Sequence, residues 1–304
     1  MLIRYFVLLL VFSTLSVQVT LSQESTVGPY FGLPSPGLEK KPFNPTIPAL
    51  EGQTVSSIHF TPDGQECYLR TQMGDTDEVF LSKKEGGIWQ PIKAVTFADG
   101  KTGIAGFSPD SNRLYFVDKS GAYIRTRTAA GWSAAQRLST PVNSEEGRVI
   151  GLSVGAHEDL YFCSWRPPTQ GACDVWRARY VDGDFPATEI LTVLNSPTSE
   201  CQVICGPDDS YLIFYSWRPG GFGRADLYVT YRSGDTWTHP RNLGPKVNSN
   251  QGEVPQTISP DGKYLFFYSN GQLYWIETST VLSVSDGVLP KESIAYKCCQ
   301  DDND

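Results

Sequence analysis

The sequence lacks an excess of basic residues. Its 25 lysines and arginines are outnumbered by 33 aspartates and glutamates, so the formal net charge is -8 and the isoelectric point is near 5.0. Proteins that bind nucleic acids use a basic face to displace counterions from the phosphate backbone. We therefore expect no nucleic-acid partner.

Long hydrophobic runs are lacking as well. An apolar stretch at residues 5–12 follows the single cation Arg4, and it is too short to cross a bilayer. Small polar residues continue to Ser22, which is typical of a secretory signal peptide cleaved after residue 22. We expect residues 1–22 to be removed and the mature protein to be periplasmic or extracellular, without a membrane span.

Metal-ligating residues are few or unsuitably spaced. The chain has three histidines, and its cysteines show no CxxC pair of the kind that holds structural zinc. We expect no metal and no other cofactor. In an exported chain the seven cysteines also raise the possibility of disulfides, but the odd number leaves at least one unpaired and the spacing does not assign partners. They are Cys67, Cys163, Cys173, Cys201, Cys205, Cys298 and Cys299.

The sequence does contain a repeated unit, best preserved at residues 253–277, EVPQTISPDGKYLFFYSNGQLYWIE. The SPDG segment at 259–262 has the residues that a type I turn prefers. The strand after it is apolar on both faces and must be covered on both sides. Asn270-Gly271 then favours a two-residue hairpin. The unit therefore reads as strand, turn, doubly buried strand, hairpin and strand.

Five copies of this unit follow one another about 50 residues apart, and in the first four a glycine turn leads into a fourth strand. Four short antiparallel strands at this period indicate the blade of a β-propeller. We predict an all-β propeller with five recognisable blades at residues 55–285, preceded by a proline-rich arm at 23–54 and followed by a tail at 286–304. A sixth blade assembled from arm and tail is the alternative. Ring closure predicts that one terminal segment pairs with the other end of the array. The copies are IHFTPDGQECYL, AGFSPDSNRLYF, LSVGAHEDLYF, VICGPDDSYLIF and TISPDGKYLFF.

The segments FSPDSNRLYF, ISPDGKYLFF and GRADLYVTYRSGDTW resemble the PD40 repeat, the WD40-like propeller repeat of TolB-type proteins. The opening YFGLPSPGLEKKPFNP looks like the arm before the first blade in a group of exported bacterial PD40 proteins. In that superfamily the propeller serves as a protein-docking module, or as a gating or catalytic domain in certain peptidases and in an oligogalacturonate lyase. The resemblance implies the propeller fold, while the scarcity of histidine disfavours a lyase-type metal site here.

One motif suggests a serine hydrolase. Residues 151–155 match GxSxG with Ser153 at the centre, and His239 lies downstream. In hydrolases this pattern works because a strained turn between a strand and a helix exposes the serine. Here the motif coincides with the first strand of the third copy and no helix follows, so we interpret it as part of a strand.

The candidate site is one mouth of the central channel. The first strand of a blade is innermost, so the residues just before it cluster near the axis, where propellers often bind ligands. The repeated segment SWRP reaches the same rim from the end of the second strand. Glutamates and arginines there could grip a polar ligand or a partner loop, with the tryptophans as anchors. The residues are Glu146, Arg148, Glu200, Glu253, Arg166, Arg218, Trp165 and Trp217.

These residues leave several interpretations open. Recurrence in a repeat array first reflects architecture, so the charged residues could equally form ion pairs between blades and the tryptophans pack between sheets. We favour an exported, non-catalytic propeller that binds a protein partner or a polar or glycan ligand at the rim. One alternative is a carbohydrate-active or other hydrolytic propeller using Glu146, Glu200 and Glu253, which needs two carboxyls close together in an open pocket. Another is a purely structural envelope component.

Overall fold

The computed structural model describes residues 28–73, 76–97 and 99–282. These residues form five separate antiparallel sheets arranged as the blades of a propeller, which confirms the predicted all-β fold and its five blades. Helix is confined, within the described residues, to a 3-10 turn at Pro48–Leu50 and to α1 at Ser279–Leu282. The predicted signal peptide at 1–22 and tail at 286–304 lie outside the described residues.

The strands follow one another in blade order. Before the first blade comes β1 (Lys41–Pro42). Blade 1 contains β2 (Thr54–Phe60), β3 (Glu66–Met73), β4 (Thr76–Glu85), β5 (Ile88–Trp89) and β6 (Lys93–Val95). Blade 2 contains β7 (Gly106–Phe107), β8 (Arg113–Asp118), β9 (Gly121–Thr128), β10 (Gly131–Trp132) and β11 (Gln136–Arg137).

The remaining blades repeat this plan. Blade 3 contains β12 (Val149–Val154), β13 (Leu160–Ser164), β14 (Asp174–Ala178) and β15 (Thr188–Ile190). Blade 4 contains β16 (Glu200–Cys205), β17 (Tyr211–Ser216), β18 (Asp226–Ser233), β19 (Thr236–Trp237) and β20 (Arg241–Asn242). Blade 5 contains β21 (Glu253–Ile258), β22 (Tyr264–Ser269) and β23 (Gln272–Glu277). In blades 1, 2 and 4 the outer strand is split into two short pieces that pair with the same neighbour.

The turn between the first two strands forms in all five blades. Its last residue donates a backbone hydrogen bond to the first, as in Gly262 N to Ser259 O at 2.8 Å, and that last residue always has a positive φ. Glycine tolerates this conformation in blades 1 and 5, whereas the other three blades place Ser111, Glu158 and Asp209 there. The turn residues of the sequence therefore mark the junction between the first and second strands of each blade correctly.

The N-terminal arm closes the ring. β1 pairs antiparallel with β23 and supplies the outermost strand of blade 5, and Phe43 N donates to Leu273 O at 2.8 Å beyond it. A terminal segment thus covers the edge of the last blade, as ring closure predicted. The arm does not build a sixth blade within the described residues, because it adds one two-residue strand to the fifth.

Five apolar clusters fill the spaces between neighbouring blades. The cluster between blades 5 and 1 is completed by the arm, whose Tyr30 and Phe43 meet Trp275 edge-on. Every side chain of β13 is buried, as expected for a strand covered on both faces. No helix in the described ranges has the length and apolar character needed to cross a bilayer.

The two ends of the propeller differ in what they carry. One end, which we call the turn face, carries the proline turns between first and second strands. The other, which we call the connection face, carries the links from blade to blade and the loops between second and third strands. In blades 3 and 4 these loops are long, and we call them loop 3 (residues 165–173) and loop 4 (residues 217–225). The predicted rim residues all lie on the connection face.

Candidate functional site

The connection face brings the start of each first strand beside the end of the second. In the strand register, Glu200 is opposite Ser216 and Glu253 is opposite Ser269, while Val149 is opposite Ser164. The two glutamates therefore occupy equivalent positions in blades 4 and 5, and blade 3 has an apolar residue there. This register decides which of the predicted charges meet.

Glu200 and Arg218 form an ion pair within blade 4. Arg218 Nη2 lies 3.3 Å from Glu200 Oε1, and the carboxylate also accepts hydrogen bonds from Ser216 Oγ at 2.6 Å and from the backbone and hydroxyl of Ser196. Glu200 is fully buried. Its carboxylate is therefore occupied by partners from its own blade and from the link that leads into it, and it is closed to solvent.

Arg166 is buried in blade 3 without a carboxylate. Its guanidinium donates to the carbonyl oxygens of Pro141 at 2.7 Å and Val142 at 2.6 Å, and its Nε donates to Ser164 Oγ. No carboxylate of the described residues forms an ion pair with it, and burial lowers the pKa of Arg166 to about 10. The side chain ties the preceding interblade link to loop 3.

Glu253 is the counterpart in blade 5, where the second and third strands are joined by a tight turn that carries no arginine. Its Oε1 accepts from Ser249 Oγ at 2.6 Å and from Ser269 Oγ at 3.1 Å. Its Oε2 is buried and has no hydrogen-bond partner among the described residues. Burial raises the pKa of this carboxyl group, against the lowering effect of the two serines.

The other four predicted residues form an exposed surface. Trp165 is 45% exposed and Trp217 is 53% exposed, each directly after the serine that ends its second strand. Arg148, on the link into blade 3, holds its guanidinium 5.4 Å from the centre of the Trp165 ring. Glu146 is exposed two residues earlier on the same link. We call Trp165, Trp217, Arg148, Glu146 and the exposed Phe222 of loop 4 the aromatic rim.

Two aspartates that the sequence analysis did not single out hold loops 3 and 4 in shape. Asp174 accepts from the backbone of Gln170 at 2.9 Å and of Gly171, and Asp226 accepts from the backbone of Phe222 at 2.6 Å and of Gly223. Both aspartates are buried. A signal was present, because Asp174 follows Ser164 at the same spacing at which Asp226 follows Ser216.

Both loops also pack tightly on the next blade. Ala172 N donates to Thr198 O at 2.8 Å, and a Cβ placed on Gly171 would lie only 1.6 Å from that same oxygen. In loop 4 a Cβ on Gly223 would lie 2.2 Å from Ser249 O. The glycines are required by this close approach. The tryptophans are therefore presented from loops that are fixed on both sides.

The turn face holds a cavity of about 230 Å³ at its end of the central channel. Each of the five blades contributes to its wall through the end of its first strand and the turn that follows. The wall combines apolar side chains and prolines with backbone and with hydroxyl and amide side chains. The side chains that line it include Phe60, Thr61, Phe107, Ser153, Ile204, Gln256, Thr257 and Ile258.

A second cavity of about 490 Å³ lies between the turns and outer strands of blades 3 and 4. Its wall includes His157, Arg177, Arg179, Tyr180 and the buried Asp209. Arg232 lies 3.4 Å from the Asp209 carboxylate and donates to Tyr161 of blade 3 at 2.9 Å. Burial raises the pKa of the Asp209 carboxyl group. This arrangement links the two blades through charged groups that the sequence analysis did not connect.

Neither a nucleophilic serine nor a metal centre forms from the candidates in the sequence. Ser153 lies inside β12, is buried, and accepts a hydrogen bond from Cys205 N at 3.1 Å, so GxSxG is a strand segment here. Histidine, cysteine, aspartate and glutamate side chains of the described residues form no group of three or more arranged to hold a metal ion.

Comparison with solved structures finds similar propellers at low identity. TolB from Acinetobacter baumannii is 14% identical with a TM-score of 0.47, and the match covers 73% of this chain and 54% of TolB. The tricorn protease is 17% identical with a TM-score of 0.46, covering 78% of this chain and 23% of the protease. An oligogalacturonate lyase in complex with manganese is 15% identical with a TM-score of 0.43, covering 75% of this chain and 63% of the lyase.

These likenesses concern architecture alone. The chain spans about half the length of TolB and a smaller part of the tricorn protease. No protein-family model matches the chain, and no curated protein sequence matches it either.

Proposed function

We propose that this chain is an exported, non-catalytic propeller that binds a protein partner through the aromatic rim. The observation that carries the proposal is the concentration of exposed aromatic side chains on loops 3 and 4. Three of the six large apolar side chains exposed in the described part of the chain, Trp165, Trp217 and Phe222, lie on these two neighbouring loops. Exposed apolar groups gathered on one face mark an interaction surface.

The composition and rigidity of the rim suit protein binding. Tryptophan and arginine are the residues most enriched among those that dominate binding energy at protein interfaces. Asp174 and Asp226 hold the loops in place before a partner arrives, which reduces the ordering cost of association. Neither of the two cavities described above is lined by Trp165 or Trp217. An open surface of this kind favours a protein partner over a small ligand, and a glycan is the alternative that the experiment below separates.

The hydrolytic alternative is weakened by the state of its carboxylates. A glycosidase needs two carboxyl groups that flank the substrate bond in an open site. Glu200 and Glu253 are both fully buried and hydrogen-bonded to serines, so of the three proposed glutamates only Glu146 faces solvent. The purely structural alternative, a stabiliser of a larger envelope assembly, requires a broad exposed apolar patch. Here three exposed aromatic side chains lie beside the exposed charged residues Glu146 and Arg148, which suits a specific partner better.

Export and membership of the PD40 group are part of the same proposal. The N-terminal cation, the apolar stretch and the small residues before residue 22 support export. Four of the five turns contain Pro-Asp, and each of these forms the junction between the first and second strands of its blade, which supports the PD40 relationship. A protein-docking role on the TolB pattern agrees with the surface described here.

The test compares capture of partners by the wild type and by the double variant W165A/W217A. Immobilised protein is exposed to cell-envelope extract and to culture fluid of the source organism, and to an array of immobilised glycans. We expect a protein retained by the wild type to bind the double variant at least about 30-fold more weakly, because a central tryptophan typically contributes 2 kcal/mol or more. Titration of the purified partner by calorimetry supplies the affinities.

A matched control removes other exposed apolar side chains. Ile88 is 44% exposed and Val181 is 47% exposed, and both lie away from the aromatic rim. The variant I88A/V181A should bind as the wild type does. Equal binding by both double variants, or retention of glycans with no protein, would contradict the proposed protein-binding role.

A further inference from the structure

Three cysteines from two blades converge beneath loop 3. Cys163 lies in β13, Cys173 directly precedes β14, and Cys201 lies in β16, and all three belong to the apolar cluster between blades 3 and 4. The Tyr215 side chain packs against this cluster, and the neighbouring thiols of Cys163 and Cys173 lower the pKa of the Cys201 thiol. The fold thus gathers thiols that are separated in sequence.

Backbone contacts favour one of the two pairs that Cys201 could form. Glu200 N donates to Cys173 O at 2.8 Å, and Cys173 forms a parallel bridge with Ser199, so the chain at Cys173 runs beside the chain that carries Cys201. Cys173 and Cys201 also keep some surface, at 4% and 8% exposure, whereas Cys163 is fully enclosed. The two segments that carry Cys173 and Cys201 are therefore adjacent, and both thiols are nearer to solvent than that of Cys163.

We propose that Cys173 and Cys201 form a disulfide under oxidising conditions, and that Cys163 remains a thiol. The bond would join the end of loop 3, which carries Trp165, to the first strand of blade 4. It would cross-link two blades that are otherwise held by packing and hydrogen bonds. The proposal does not depend on the binding role of the aromatic rim.

The chemistry is thiol–disulfide exchange with a small disulfide such as oxidised glutathione. Hydrogen bonds from Cys163 and Cys173 lower the pKa of the Cys201 thiol, which makes Cys201 the attacking sulfur. Its thiolate bonds to one glutathione sulfur and expels the other as a thiolate, which takes up a proton. Cys173 then gives up its proton and attacks the Cys201 sulfur, forming the protein disulfide and releasing the second glutathione thiol. Two protein thiols are oxidised while one glutathione disulfide is reduced to two thiols.

The remaining thiols of the described residues provide internal controls. Cys67 is buried in the cluster between blades 5 and 1, and Cys205 lies at the other end of β16 near the turn face. Cys205 is at the opposite end of β16 from Cys201, and Cys67 lies in another cluster, so neither is beside the segment that carries Cys173. Both should stay free under conditions that oxidise the proposed pair.

The direct test is peptide mapping of the wild-type protein. The protein is equilibrated in glutathione buffers of increasing oxidised fraction, then denatured in iodoacetamide and digested with chymotrypsin without reduction. Cleavage after Trp165 separates Cys163 from Cys173, so mass spectrometry can tell the two possible links apart. We expect a peptide that links Cys173 to Cys201, with Cys163, Cys67 and Cys205 alkylated. A link from Cys201 to Cys163, or full alkylation of Cys173 and Cys201 in the most oxidising buffer, would overturn the proposal.

Two variants give a second readout. The melting temperature of the wild type should rise by roughly 5–10 °C on oxidation, from the usual stabilisation by a disulfide in a domain of this size. C163S should keep both the link and the rise, and C173S should lose both. Repeating the comparison in a C298S/C299S background removes the two cysteines of the tail as competing partners. An equal rise in C173S would contradict the assignment, and the wild-type map remains decisive if either variant folds poorly.

Discussion

Blades 3 and 4 carry the same SWRP segment but satisfy its arginine in different ways. Arg166 donates to two backbone carbonyls of the link before its blade, whereas Arg218 donates to one such carbonyl, from Leu194, and pairs with Glu200. Both guanidiniums lie over the aromatic side chains of the neighbouring strands, Phe162 and Trp176 in one blade and Phe214 and Tyr228 in the other. The scaffold around the cation is thus repeated while its counter-ion is not.

Blade 5 completes the series, because it has the glutamate without the arginine. The position of Glu200 is held by Glu253, but a tight hairpin replaces the long loop that would bring an arginine. A buried charge is costly unless a partner or hydrogen bonds compensate for it. Three neighbouring blades therefore show a cation held by carbonyls, an ion pair, and a carboxyl group held by two serines. The three blades share the same backbone geometry at this position. The buried charges differ, and each is compensated by the hydrogen-bond donors and acceptors that lie near it in its own blade.

The largest loss of stability should come from breaking the ion pair between Glu200 and Arg218 in blade 4. The substitution Glu200→Ala removes the acceptor of three hydrogen bonds and leaves Arg218 without its counter-ion. We expect the free energy of unfolding to fall by about 3 kcal/mol, as for other buried pairs that lose one partner. Urea denaturation should show this as a lower midpoint with an unchanged slope.

The matched control is the exposed glutamate of the same face. Glu146→Ala removes a carboxylate from the link into blade 3, where it is open to solvent. Surface substitutions of this kind stay within about 0.5 kcal/mol. If the two substitutions destabilise the protein equally, Glu200 is not the structural element that its contacts indicate.

A smaller effect should follow from transplanting the pair into blade 3. Val149 occupies the register position of Glu200, and it lies in the same apolar cluster as the aromatic partners of Arg166. Val149→Glu will destabilise the protein because it replaces a buried apolar side chain. We expect the loss to be about 1–3 kcal/mol smaller when Arg166 is present than in an Arg166→Met background, since Arg166 can then serve as a counter-ion.

A double-mutant cycle measured by urea denaturation gives this coupling directly. The four proteins are the wild type, V149E, R166M and the combined variant. Equal cost of V149E in both backgrounds would show that the guanidinium in blade 3 is too firmly held by the carbonyls of Pro141 and Val142 to turn toward a carboxylate. Blades 3 and 4 would then differ in the position of the guanidinium as well as in the residue opposite the serine.

The fold could be predicted from the sequence because its signals are local. The turns at Pro62, Pro109, Pro207 and Pro260 fix backbone angles by residue type alone, and the strands after them are apolar on both faces. The same reasoning predicted that an end of the chain would close the ring. It could not identify Lys41–Pro42 as the closing strand, since two residues carry no periodic pattern.

Whether each rim side chain is buried or exposed could not be predicted in the same way. The sequence placed Glu200, Glu253, Arg166 and Trp165 at one end of the propeller, where the structure also has them. Whether each is enclosed depends on non-local contacts, above all on how loops 3 and 4 pack against the next blade. Glu200, Glu253 and Arg166 are buried. Trp165, the residue directly before Arg166, is exposed.

The smallest expected change in stability comes from Glu253, the carboxyl group in blade 5 that has no ion-pair partner among the described residues. It depends on pH. Burial raises the pKa of Glu253 above its ordinary value of 4.5, so the folded protein holds this proton more tightly than the unfolded chain does. Below pH 4.5 the Glu253 carboxyl group is protonated in both the folded and the unfolded protein, so its ionisation does not change the free energy of unfolding. As the pH rises through 4.5 and past the raised pKa, folding must enforce an unfavourable ionisation, and stability is lost.

Glu253→Gln keeps the carbonyl oxygen that Ser249 and Ser269 bind but cannot ionise. Relative to this variant, we expect the wild type to lose about 1.4 kcal/mol for each unit by which the pKa is raised, across a window that opens near pH 4.5 and ends above the raised pKa. Urea denaturation of both proteins from pH 4 to pH 8 measures the difference, with Glu146→Gln as the exposed control. A difference that is constant with pH would mean that folding does not shift the pKa of Glu253. A difference that grows toward acid would mean that folding stabilises the ionised carboxylate, and either result would contradict the prediction.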